Sequence, residues 1–159
     1  PDLTDADWLF GGDADTILAT IKSGRTSKMP GFHGALSQEQ IQALTGFVPY
    51  WSDPDLDPRA REAGMAAYAG MCAACHGAEG KGNVAMGAPN LTDDVWLFGG
   101  TRKRVRETIL FGRESHMPAH DTLISADEQR LAAGYVRSLS QAAPAADSIP
   151  SQMRTAAQP

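Results

Sequence analysis

The chain has 159 residues, of which 42% are hydrophobic and 21% charged, with a formal net charge of -5. That is ordinary globular material, enough for one domain or two small ones. The acidic balance argues against a nucleic-acid binder and against a basic membrane-surface patch, and no apolar run reaches the ~20 residues of a membrane helix.

From its N-terminus the chain repeats itself. Residues 1–48 align without gaps on residues 89–136 at a constant offset of 88, with 19 identities. The longest shared strings are Leu3-Thr4-Asp5 with Trp8-Leu9-Phe10-Gly11-Gly12, against Leu91-Thr92-Asp93 with Trp96-Leu97-Phe98-Gly99-Gly100. In the first copy Asp13 caps a predicted helix over 14–23 that stops at Gly24, and Ser37 with Gln40 forms a capping box for a helix ending near Val48. Residues 49–57, rich in Pro and Asp, are a linker. Asp57 and Pro58 then start a helix that runs to about Ala69.

Residues 58–139 read as a complete unit. The leading helix is followed by Cys72-Ala73-Ala74-Cys75-His76, a glycine-rich loop, a middle helix over 102–111, a methionine loop and a last helix. Thr101 and Gly112 bound the middle helix, and the capping box of Ser125 and Glu128 opens the last, which ends near Leu139. Gly64 and Tyr68 are spaced to meet Leu131 and Tyr135 where the first and last helices of this unit cross, the glycine allowing close approach. No strand pattern is present. The fold class is therefore all-α, one complete domain plus a partial tandem copy over 1–48, and the tail 140–159 lacks periodicity and is expected to be mobile.

Two thiols separated by two residues and followed by an imidazole form the c-type haem attachment signature. Cys72 and Cys75 can each form a thioether to a haem vinyl group, and His76 can ligate the iron. A redox C-x-x-C pair and a zinc half-site are the competing readings. The second lacks a further cysteine pair. The sixth ligand is expected to be Met117, which lies 41 residues after His76 in a loop between helices, with Pro118 holding its backbone extended. Met86, His116 and His120 are the rivals. The carbonyl of Pro89 is the expected acceptor from the other ring nitrogen of His76, and Leu91, Trp96, Leu97 and Phe98 are expected to line the haem pocket. No acid/base pair, nucleophile elbow or phosphate loop supports catalysis by the chain itself. A basic cluster, Arg102, Lys103, Arg104 and Arg106, has no counterpart in the first copy and reads either as a solvated face or as a docking patch.

Together these strings resemble the dihaem cytochrome c subunit of cbb3-type cytochrome c oxidases, over about residues 1–140. The resemblance implies two class I cytochrome c domains in tandem on the periplasmic side of a bacterial inner membrane. It also implies a relay that takes single electrons from a soluble cytochrome c donor and feeds the catalytic haem-copper subunit, beside membrane-embedded oxidase subunits. It implies haem c on Cys72 and Cys75, with iron ligands at His76 and Met117, and Met29 as axial ligand of a second haem in the first copy. The first copy's attachment motif and a membrane anchor would fall upstream of Pro1, so the second haem depends on that half-domain being present. A soluble or differently partnered dihaem-type carrier is the alternative.

Overall fold

The computed structural model describes residues 1–142; the tail expected over 140–159 lies beyond them from residue 143 on. Six α-helices and two short strands succeed one another: α1 (Ala14–Ser23), β1 (Arg25–Met29), α2 (Gln38–Phe47), α3 (Pro58–Met71), α4 (Ala73–His76), α5 (Arg102–Phe111), β2 (Arg113–Met117) and α6 (Ala126–Ala142).

The helix boundaries follow local chemistry. Asp13 accepts from the Thr16 N–H, Thr101 from Arg104 N–H, and Asp57 from the N–H groups of Arg59 and Ala60. These bonds satisfy donors that the first turn leaves open. Both expected capping boxes form, Ser37 with Gln40 and Ser125 with Glu128. At Gly24 and Gly112 the backbone turns to positive φ, and each cap N–H returns to a carbonyl four residues back, Thr20 or Thr108. Helix α3 runs two residues past its expected end, and α6 three residues past Leu139.

The described residues form two compact units. The first holds residues 1–7, 11–24 and, among the described residues, 119–142. In it α1 packs on α6, burying Ile17 and Ile21 together with Ala133. The Ile21 carbonyl accepts from the His120 N–H at 3.0 Å.

The second unit holds residues 8–10 and 25–118. Here α2 packs against both α3 and α5, and its core joins Leu36, Ile41, Leu44, Phe47 and Val48 to Ala67, Tyr68, Val105 and Ile109. Gly64 does allow a close approach, but the partner is Phe47: a Cβ at position 64 would lie 2.1 Å from the Phe47 Cβ. Leu131 and Tyr135, expected at that crossing, are 74% and 66% exposed. The reason is the repeat itself, because Phe47 is the residue of the first copy that aligns with Tyr135. The linker residue Trp51 is not a bystander either. Its ring packs 4.6 Å from Phe47 and, edge-on, 4.8 Å from Tyr68.

The all-α expectation needs one correction. Strands β1 and β2 pair antiparallel, Arg25 opposite Met117 and Met29 opposite Arg113. The ladder is centred on Ser27 opposite Ser115, which are equivalent positions of the two copies. Neither strand carries the alternating apolar pattern by which a strand is recognised, and each finds its partner in the other copy.

Candidate functional site

Helix α3 ends at Met71, and the N–H groups of Cys75 and His76 both bond the Cys72 carbonyl, at 3.1 and 3.0 Å. The resulting turn, α4, brings Cys72, Cys75 and His76 onto the wall of one cavity in the second unit. Neither cysteine is bridged. Burial, with Cys75 beside it, pushes the Cys72 thiol up. A redox C-x-x-C pair works through a lowered thiol pKa, so the shift runs against that reading.

The His76 ring is buried, and its Nδ1 lies 2.9 Å from the Pro89 carbonyl oxygen. A carbonyl only accepts, so Nδ1 carries the proton and Nε2 keeps the lone pair needed for a metal. The glycine-rich loop holds that geometry in place. Gly82 N–H bonds the His76 carbonyl at 2.8 Å, and Leu91 N–H bonds the Gly80 carbonyl at 2.7 Å. Gly82 has a φ of 85°, and a Cβ there would sit 2.7 Å from the Ala88 oxygen, so the loop closes this tightly only with glycine. Tyr68 O–H donates to the Gly77 carbonyl at 2.5 Å, and burial pushes its phenol up to about 12.

The remaining walls are mostly apolar. Leu91, Trp96, Leu97 and Phe98 line the cavity, as does Leu9, the first-copy equivalent of Leu97. Phe32, Leu44 and Val48 come from the first copy as well, and Val105 and Ile109 from α5. Arg113 also lines it. Its guanidinium carbon lies 5.2 Å from the centre of the Phe98 ring, while its Nε is buried without a hydrogen-bond partner in the protein. An apolar cavity with two thiols, an imidazole in the metal-binding tautomer and an unsatisfied cationic donor fits a haem, whose flat apolar body ends in carboxylates.

The sequence-predicted residues are not all brought together. Cys72, Cys75, His76 and Pro89 line the cavity, and so does Met29. Met117 does not, because it lies at the exposed end of β2, opposite Arg25. Of the rivals, Met86 lines the cavity but is 53% exposed. His116 pairs with the Thr26 hydroxyl at 3.1 Å, and His120 lies in the first unit with its Nδ1 buried and unpartnered. Arg113 and the first-copy wall residues were not anticipated. The repeat was the available signal, since residues shaped to cover a porphyrin in one copy can do so in the other.

Paired thiols and an orientated imidazole on a helical scaffold define a c-type cytochrome. Comparison with known proteins narrows this. The family profile described as "Cytochrome C oxidase, cbb3-type, subunit III" matches residues 59–136. A protein of Cereibacter sphaeroides named "Cbb3-type cytochrome c oxidase subunit CcoP" is 39% identical over 87% of this chain and 52% of its own length. One of the same name from Rubrivivax gelatinosus is 39% identical over 89% of this chain and 46% of its length. A "Cbb3-type cytochrome c oxidase subunit FixP" of Sinorhizobium medicae is 38% identical over 75% and 44%. The chain belongs to this CcoP/FixP family of cytochromes, and its helix-rich structure fits the class I cytochrome c fold. It spans about half the length of the curated relatives it matches. Among the described residues no helix is long and apolar enough to cross a membrane.

Proposed function

We propose that the chain is a haem c electron-transfer subunit of a cbb3-type oxidase, relaying single electrons from a soluble cytochrome c to the catalytic haem-copper subunit. Its place is the periplasmic side of a bacterial inner membrane, beside the membrane-embedded oxidase subunits. The family membership and the names of the relatives support this reading. The observation that carries it is the 2.9 Å bond from His76 Nδ1 to the Pro89 carbonyl, in an apolar cavity shared with Cys72 and Cys75.

In this reading Cys72 and Cys75 would hold one haem covalently, and His76 would bind its iron through Nε2. When bound, haem supplies a one-electron iron couple. Pro89 fixes the imidazole plane and its tautomer, which makes Nε2 a better donor. Leu91, Trp96 and Phe98 line the cavity and would exclude water from a haem held there, which would raise its potential. Arg113, which lines the cavity with its Nε buried and unpartnered in the protein, would supply a positive charge to a haem carboxylate. A methionine would hold the iron as well: position in the chain favours Met117, and the cavity wall favours Met29. An iron held by an imidazole and a thioether would pass single electrons without offering a substrate site. The repeat is read as two tandem class I copies, the first partial.

Intact mass with a haem stain tests the attachment, and the expected result is one porphyrin on the Cys72–Cys75 peptide. Stopped-flow mixing of the reduced chain with the catalytic oxidase subunits tests the relay. A chain without covalent haem, or one whose oxidation is unaffected by those subunits, would sink the proposal.

A further inference from the structure

We infer that Trp51, in the segment between the two copies and held there by Arg61, is a positioning residue for the His76 imidazole, acting through the glycine-rich loop that carries Pro89. The inference rests on the haem reading above and deepens it. Residues 49–57 have the composition of a passive linker, yet their backbone is tied to the second copy. Arg61, near the start of α3, donates from Nη1 to the Trp51 carbonyl at 2.8 Å and from Nη2 to the Asp53 carbonyl. Both bonds come from a charged donor, which makes them the stronger kind. Between them, Ser52 donates from Oγ to the Thr92 carbonyl at 2.6 Å. The indole of Trp51 is therefore carried on a fixed backbone.

What the indole meets is the loop. Gly80 has a φ of 69°, and a Cβ there would lie 2.9 Å from Trp51 Cη2, so ring and backbone touch with no room for a side chain. The Gly80 N–H bonds the Gly77 carbonyl at 3.1 Å, and the Gly80 carbonyl accepts from the Leu91 N–H at 2.7 Å. Leu91 lies two residues after Pro89, whose carbonyl accepts from His76 Nδ1. Thr92 is held in turn: its Oγ1 accepts from Lys81 Nζ at 2.6 Å and donates to Asn90 Oδ1 at 2.8 Å. Trp51 thus presses on a residue whose two backbone bonds join the His76 end of the loop to its Pro89 end. Without that pressure the loop opens more readily, and the imidazole loses the partner that sets its tautomer.

The test uses the full chain with its covalent haem, as wild type, Trp51→Ala and Arg61→Met. Proton NMR of the reduced, isotopically labelled protein follows solvent exchange of the His76 Nδ1 proton, with the backbone amides of Val105 and Ile109 on α5 as internal reference. Easier local opening speeds exchange, so we expect the Nδ1 proton to exchange about tenfold faster in Trp51→Ala and faster, by less, in Arg61→Met, with the α5 amides unchanged in both. An Nδ1 rate equal to that of the wild type in either variant would overturn the inference. So would equal acceleration of the α5 amides, which marks a loss of overall stability and not of positioning. Absence of covalent porphyrin from the wild-type chain would instead overturn the haem reading beneath it, and intact mass separates the two failures.

Discussion

Tyr68 joins the packing of the second unit to its chemistry. Its ring meets Trp51 edge-on, and its hydroxyl holds the Gly77 carbonyl at the start of the loop that leads to Pro89. The phenol is pushed up to about 12, chiefly because burial disfavours its charged form. In an unfolded chain it titrates near ~10. Above that pH the unfolded state loses the proton first, so this group's stabilisation is complete below about 10 and is lost as pH rises towards about 12. Chemical denaturation across that range should show stability falling with pH in the wild type and a flatter profile in Tyr68→Phe. An identical slope in the two would remove Tyr68 as the source. Arg113 yields a second test. A cation beside the haem carboxylates favours the reduced iron, which carries one less positive charge, so Arg113→Gln should lower the midpoint potential measured by redox titration. An unchanged potential would mean that the guanidinium faces solvent once haem is bound.

At the scale of elements the decisive packing is α2 on α3. Phe47 is fully buried against Gly64, so it has no free space to retreat into. Alanine at 64 would gain ~1 kcal/mol of helix propensity, but the overlap with Phe47 should outweigh that and leave a net loss of ~1–3 kcal/mol. Phe47→Ala should cost ~3–5 kcal/mol, and Tyr135→Ala, mostly exposed, under ~0.5 kcal/mol. Denaturant unfolding of the haem-loaded chain gives all three values. Equal losses at 47 and 135 would contradict the packing described. The same pair marks what could and could not be read in advance. The caps at Asp13, Ser37, Asp57, Thr101 and Ser125 were legible because they depend on residues three or fewer positions away. The turn at Cys72 to His76, and its bond to Pro89, were legible because one motif demands both. Gly64 announced a close crossing, but either of two aligned last helices could supply the partner. That choice is made by packing between segments far apart in sequence. It also decides whether Met29 or Met117 reaches the cavity, and it hid β1 and β2, whose polar residues pair only across the repeat.

For the whole molecule, a net charge of -5 is unevenly spread along the chain. The two copies differ in charge. Residues 1–48 carry three basic and six acidic residues, 3 - 6 = -3, whereas residues 89–136 carry six and seven, 6 - 7 = -1. The difference lies on α5. There Arg102 stacks over Tyr50 at 5.0 Å and Arg104 pairs with Glu107 at 3.1 Å, and both contacts keep those charges near the surface without neutralising the helix. Lys103 and Arg106 are exposed, and no ion pair among the described residues engages them. The opposite side of α5 carries Val105 and Ile109 into the cavity wall. One helix thus presents positive charge outwards while lining the cavity inwards. A cationic face of this kind accelerates encounter with an acidic surface and loses its effect as salt shortens the Debye length to ~10 Å at 0.1 M. Changing Lys103→Glu and Arg106→Glu together should slow electron delivery to an acidic partner by about tenfold at low ionic strength. At high salt the variant and wild type should converge, with the potential unchanged in both. Parallel salt profiles in stopped-flow traces would show that α5 is a solvated face and that docking lies elsewhere.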